Sequence, residues 1–299
     1  MQTAKVRPPA VAGMFYPGSR QGLQAKLAEL TSHALEFPPP IPPPAEPGLA
    51  RVPHHDAQVG QARLASGEGK GGGNVKAIVA PHAGYIYSGR VAASAFAALR
   101  KTAHAVTRVV VIGPAHYVPF RGIAIPTAHA FETPLGRVPV AQDSLASIAA
   151  LPFVSVHDAA HAPEHALEVE LPFLQMLLQR FEIIPLLVGD AMPDEVAEVL
   201  RTVADGADIL TVVSSDLSHY YEYEAARRLD AATAARIERC AWEELTCDNA
   251  CGFLPIAGML IEGVRRGLKV HRLALSNSGE TAGDRRRVVG YGAWAFTAT

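Results

Sequence analysis

Short apolar runs alternate with helical patterns from residue 75 onward. Runs at 76–80, 108–113, 122–126, 182–189, 208–215, 269–276 and 288–296 read as strands. Apolar positions at helical spacing mark helices over 89–101, 143–150, 165–180, 193–204, 222–245 and 252–266, after an earlier helix at about 19–35. Strands that are apolar throughout, rather than alternating, need cover on both faces. The pattern therefore predicts an α/β fold, a three-layer α/β/α sandwich around a mixed, largely parallel sheet. Only a turn-rich stretch separates the last two strands, which suits an antiparallel hairpin.

One composition break interrupts this order. Residues 36–75, beginning "EFPPPIPPPAEPG", are rich in proline and then in glycine. They read as a polyproline-like arm, at 38–47, grading into a flexible loop inserted before the first core strand. The arm suits a linker or a docking surface, and His54-His55 within the insertion read as solvent-exposed. With no internal repeat and no second core, residues 1–299 read as one domain carrying that insertion.

Bulk composition narrows the partners. A hydrophobic content of 49% over 299 residues supplies a substantial core. A net charge of -2 gives no pull toward nucleic acid or acidic membranes. The basic cluster Arg285-Arg286-Arg287 is short enough to be a solvated loop. Cys240, Cys247 and Cys251 cannot build a disulfide framework. The start lacks the apolar core of a secretory signal, and no apolar run reaches about 18 residues. A cytoplasmic protein with no membrane or nucleic-acid partner is expected.

The chemistry concentrates where strands end. "KAIVAPHAGY" leaves a strand through Pro81-His82, "VVVIGPAHY" through Gly113-Pro114-Ala115-His116, and "LTVVSSDLSHY" through Ser215-Asp216 toward His219. Ligands of open α/β sheets bind beyond the carboxyl ends of the strands. Parallel neighbours would bring His82, His116, Asp216 and His219 to one edge. Any one of these histidines alone suits a local backbone contact; three similar strand ends point to a site.

Two imidazoles need a third protein ligand to make a catalytic metal site. "CDNACGFLPIAG" offers Cys251 ahead of a helix start, where the helix dipole lowers a thiol's pKa. A metal ligand and a buried structural thiol both stay open for Cys251. In "HDAAHAPEHALEVELPFLQ", Pro163 breaks any helix joining His157, His161 and His165. His157 and His161 read as surface residues. Glu164, His165 and Glu168 read as the start of the next helix, with His165 a candidate for the site. No Walker loop, GxGxxG or GxSxG pattern appears, and "SGEGKGGGN" has no Ser or Thr after its lysine.

The segments "RPPAVAGMFYPGS", "IVAPHAGYIYSG", "VVVIGPAHYVPF", "ETPLGRVPV", "EHALEVELPFLQ", "IIPLLVGD", "VVSSDLSHY", "CGFLPI" and "GYGAWAF" occur in this order across nearly the whole chain outside the insertion. In them the chain resembles the MEMO family. The resemblance implies a fold like that of the LigB-type class III extradiol dioxygenases, which use non-haem iron. It also implies a pocket in which His82, His116 and Cys251 are metal ligands, with Asp216, His219 and His165 as further polar residues. Two departures stand at the pocket mouth. Tyr117 follows His116 where eukaryotic relatives tend to carry a histidine, and Phe253-Leu254 follow Gly252 where basic or small residues are common.

These expectations define four functions. The first is a metal-dependent oxidoreductase using iron or copper. There Asp216 would orient a histidine or accept its ring proton, and His219 or His165 would be the acid or base near neutral pH. The second is zinc hydrolysis, and the third is nucleophilic catalysis by Cys251 without metal. The fourth is a non-catalytic metal-, small-molecule- or peptide-binding protein. The resemblance attaches radical-SAM and AMMECR-type proteins as partners.

Overall fold

The computed structural model describes residues 5–36 and 74–298. Apart from its ends, the Pro/Gly-rich insertion, with the proline arm and His54-His55, lies outside the described residues. The elements are β1 (Val6–Arg7), α1 (Arg20–Glu36), β2 (Val75–Ala80), α2 (Tyr85–Ala97), β3 (Arg108–Pro114), β4 (Ile123–Ile125) and β5 (Ala130–Thr133). There follow β6 (Gly136–Pro139), α3 (Gln142–Ile148), β7 (Val154–Val156), α4 (Asp158–His161), α5 (Leu171–Leu177), β8 (Glu182–Val188) and α6 (Pro193–Val203). The chain closes with β9 (Ile209–Ser214), β10 (His219–Tyr221), α7 (Tyr223–Glu238), α8 (Phe253–Arg265), β11 (Lys269–Asn277) and β12 (Val288–Thr297).

The main sheet runs β10-β12-β2-β9-β3-β8-β4-β7, with β11 also paired to β12. Its centre, β2-β9-β3-β8, is parallel. β12 is antiparallel to both β2 and β11, and β4 is antiparallel to β8, so the sheet is mixed as the apolar runs predicted. Ile78 to Ala80 and Val109 to Ile112 are fully buried. Neighbouring residues of a strand face opposite ways, so both faces of these strands are covered. α2 packs on β2, β11 and β12 and holds α1 and α5; α8 packs on β3 and β9 and holds α6, which holds α3.

Every predicted strand is present, and the last two form the expected hairpin. A small second sheet, β1-β5-β6, was not foreseen, because its strands are short and interrupted by polar residues. Three helices differ from their sequence reading. α2 starts at Tyr85 rather than 89, since Tyr85, Ser88 and Gly89 are buried within its first turns. The expected 165–180 helix is a 3-10 turn at Glu168–Glu170 followed by α5, because Glu168 and Glu170 are drawn inward to polar partners. α7 stops at Glu238, and Cys240, at φ 58°, adopts a left-handed turn that no helix continues through.

α6 and α8 approach closely at Gly258. A Cβ there would lie 2.3 Å from Val196 Cγ1 and 2.6 Å from its Cβ. Gly258→Ala is therefore expected to overpack this contact and lower stability by roughly 1–3 kcal/mol, despite alanine's better helix propensity. Urea unfolding followed by circular dichroism checks it. A variant as stable as the parent would show that the two helices separate freely.

Candidate functional site

The parallel strands β2, β9 and β3 lie side by side and deliver their following loops to one edge. His82 leaves β2 and His116 leaves β3, on either side of Ser214 and Asp216 at the end of β9. Their rings meet edge to face, with centroids 5.1 Å apart. Cys251 comes from the turn before α8, and its Sγ lies 3.3 Å from His82 Nε2. Gly252 makes this approach feasible, because a Cβ there would sit 2.7 Å from Ser215 Cβ and 2.8 Å from Ser214 O. One donor atom each from His82, His116 and Cys251 lies within 4.8 Å of the others, a spacing that one metal ion can gather.

The second nitrogen of each histidine is already engaged. His116 Nδ1 lies 2.9 Å from Glu164 Oε1, and His116 N donates to Glu164 Oε2 at 2.6 Å. Burial opposes ionisation of Glu164, but the His116 contacts outweigh it and hold the carboxyl below its ordinary range. An anionic Glu164 accepts a hydrogen bond from His116 Nδ1–H, so Nε2 is the nitrogen left for a ligand. His82 Nδ1 lies 2.8 Å from Ser214 Oγ. Burial, reinforced by His116, His165 and His219, pushes the His82 pKa well down, so this ring is neutral. Metal-binding histidines are held in this way through their second nitrogen.

His165 joins the cluster from the loop after α4. Its ring stacks on His116 at 4.7 Å, meets His82 edge-on at 5.3 Å, and is flanked by Phe15 at 4.7 Å. Its Nδ1 is 3.2 Å from Glu164 Oε1 but misaligned, and so has no hydrogen-bond partner. His219 reaches the same pocket side and engages Leu217 O through Nδ1 at 2.8 Å, leaving Nε2 free. Burial lowers His165 to about 4, below the neutral range that the sequence reading expected, and also lowers His219.

Three other expectations change. Asp216 accepts no ring proton; its Oδ1 takes the backbone N–H of His82 at 2.9 Å and of Ala83 at 3.3 Å. It pins the loop, and Ser214 orients the ring. Cys251 does precede a helix, but burial of the sulfur pushes its thiol pKa up and the Asp216 charge adds to that, opposing the dipole effect. His161 is buried rather than exposed, with Nε2 against Ala124 O at 3.1 Å and a pKa lowered by burial to about 4. It is a core histidine, while His157 caps α4.

Sequence reasoning missed Ser214 and Glu170 as members of the site, and gave Glu164 no role beyond the helix start. Ser214 Oγ also touches Ala166 O at 2.6 Å and Glu170 Oε1 at 2.9 Å. The only trace of these roles was the density of Glu and His in "EHALEVE". Beside Cys251 lies a cavity of about 270 Å³ walled by Val118, Pro119, Phe120, Phe253 and Leu254. Tyr117 is exposed at the mouth, with its ring 5.7 Å from His165. Among the described residues no helix is long and apolar enough to cross a membrane.

Fold and site together define an α/β protein whose parallel strand ends gather histidines and a cysteine into a candidate metal pocket. Comparison gives it a family. The model for Memo-like proteins matches residues 7–295, and the chain belongs to the MEMO family. It is 34% identical to a MEMO1 family protein of Aquifex aeolicus, over 96% of this chain and 97% of that one. A MEMO1 family protein of Methanosarcina barkeri is 36% identical over 74% of this chain and 86% of its own. A solved structure of an uncharacterized protein from Escherichia coli K12 overlays on 74% of this chain and 99% of its own, with a TM-score of 0.48 and 13% identity.

Burial raises the Asp216 pKa from 3.8 to about 7, against the pull of its two backbone donors. Between those values the folded protein holds a proton that the unfolded chain has released. Its contribution to stability is therefore full below about pH 4 and is lost as pH rises toward 7. Asp216→Asn stays neutral throughout and is expected to lack this decline. Urea titrations of both metal-free proteins across that range check it; parallel curves would show that Asp216 titrates as in the unfolded chain.

Proposed function

We propose that the protein is a metal-dependent oxidoreductase acting on a small molecule, with iron or copper held by His82 Nε2, His116 Nε2 and Cys251 Sγ. The observation that carries this reading is the convergence of the three donors within 4.8 Å, each imidazole already held through its other nitrogen. The residues fit a transition metal. A thiolate beside two neutral imidazoles is a softer set than two histidines and a carboxylate, which suits reduced copper, iron or zinc over magnesium or calcium. A bound redox metal would supply electron transfer and oxygen activation; three protein donors leave positions open for substrate.

The chain's own residues divide the remaining work. Cys251 must give up its proton for a metal to load, and its raised pKa makes metal affinity fall with acidity. His165, whose neutral ring stacks on His116 beside the metal donors, is placed to take a proton from a pocket ligand or return it. His219 offers a second carrier through its free Nε2. Phe253, Leu254 and Phe120 give the adjoining cavity an apolar wall that holds a substrate's hydrocarbon part and excludes water.

Anaerobic purification followed by elemental analysis tests the reading. Near-stoichiometric iron or copper is expected, lost in His82→Ala and His116→Ala and reduced in Cys251→Ser. Glu164→Gln, which takes the anion from behind His116, is expected to weaken affinity by about 10–100-fold rather than abolish it. Oxygen uptake by the loaded protein with candidate substrates then separates redox turnover from storage. Zinc in the same pattern would replace this reading with hydrolysis. Undiminished metal in His82→Ala, or none after reconstitution, would end it.

A further inference from the structure

Three groups converge on one hydroxyl behind His82. Ser214 Oγ lies 2.6 Å from Ala166 O, 2.8 Å from His82 Nδ1 and 2.9 Å from Glu170 Oε1, all of them buried. A hydroxyl has one proton to give and two lone pairs to fill. Ala166 O can only accept, so the Ser214 proton goes there, at the shortest of the three distances. If all three contacts are hydrogen bonds, both remaining partners must donate: His82 through Nδ1–H, and Glu170 through a carboxylic O–H.

A second observation agrees independently. Glu170 Oε2 is buried and has no hydrogen-bond partner. An anion with one oxygen wholly undonated is costly in such a place, whereas the carbonyl oxygen of a neutral acid tolerates it better. No cation pairs with Glu170 among the described residues, in contrast to Glu168, which Arg7 neutralises. Burial also favours the protonated form.

We infer that Glu170 is a neutral carboxylic acid that donates to Ser214, and that Ser214, its own proton committed to Ala166 O, holds His82 as the Nδ1–H tautomer and keeps Nε2 free to bind a ligand at the strand ends. Its consequence for metal rests on the pocket reading above; the proton arrangement does not. Glu170 touches neither metal donors nor the cavity beside Cys251, so it is a positioning residue. The two histidines are then held by partners of opposite protonation state, His116 by an anion and His82 by an acid acting through a hydroxyl. An anionic Glu170 would instead compete with Ala166 O for the one Ser214 proton and leave one of the two buried acceptors without a donor.

The test begins on the metal-free protein labelled with nitrogen-15 at histidine, where long-range proton–nitrogen spectra report each ring's tautomer. At neutral pH His82 is expected to carry its proton on Nδ1. Infrared difference spectra of the parent against Glu170→Gln should show the loss of one protonated carboxyl band. Glutamine keeps a donor toward Ser214, so the His82 tautomer is expected to persist and zinc affinity to change by less than about threefold. In Glu170→Leu, Ala166 O still takes the Ser214 proton, so the tautomer is expected to persist there too, again with the carboxyl band absent. A parent His82 protonated on Nε2, or no carboxyl band lost in Glu170→Gln, would overturn the inference. A His82 ring proton that moves to Nε2 in the Gln or the Leu variant would do the same. If the parent binds no metal while the spectra come out as expected, the pocket reading fails and this one stands.

Discussion

Arg7 and Glu168 meet in the interior, and the polar segment behind the pocket hangs on that contact. Glu168 accepts from Arg7, from Tyr16 OH and from the backbone N–H groups of Ala10 and Val11. Arg7 also donates to His161 O and Glu164 O. Residues 7–16 are thereby lashed to residues 161–168 with every charge answered. Removing one partner of such a buried pair costs about 3–5 kcal/mol, because the other is left uncompensated. Tyr85 OH adds a bond to Val169 O, which ties the start of α2 to the same segment.

That segment places three carboxylates within seven residues and turns each to a different task. Glu164 faces His116, Glu168 anchors the chain's N-terminal stretch, and Glu170 faces Ser214. A regular helix over 165–180 would have pointed these side chains around a cylinder, several of them into solvent. The 3-10 turn and the late start of α5 follow from satisfying all three indoors. Helix geometry yields here because a buried carboxyl without partners costs more than a few lost helical bonds.

The sheet was legible because its strands are continuous apolar runs, a pattern that local sequence carries by itself. His82, His116 and Asp216 were legible for the same reason: each follows directly on such a strand. What escaped acts through distant partners. Glu164 is 48 residues from His116, Glu170 is 44 from Ser214, and Ser214 is 132 from His82. Each looks ordinary in its own neighbourhood. His161 misled because a histidine in "HDAAHAP" looks polar and exposed, whereas the Arg7 contact and Ala124 O draw it into the core. Cys251 misled in the other direction, since a helix start is visible in sequence and the burial that outweighs it is not.

The charge balance around the pocket follows from these placements. Without an ion, the site has neutral His82 and His165, a protonated Cys251 and an anionic Glu164. A divalent cation bound as proposed would displace the thiol proton, and thiolate and Glu164 would together match its charge. Any further anion next to His82 would go unbalanced in a buried setting. Burial raises the pKa values of Asp216 and Glu170, which limits that excess. The four acidic groups of the pocket are thus divided by their partners as well as by burial: the His116 contacts hold Glu164 ionised, while burial favours the protonated forms of Cys251, Asp216 and Glu170.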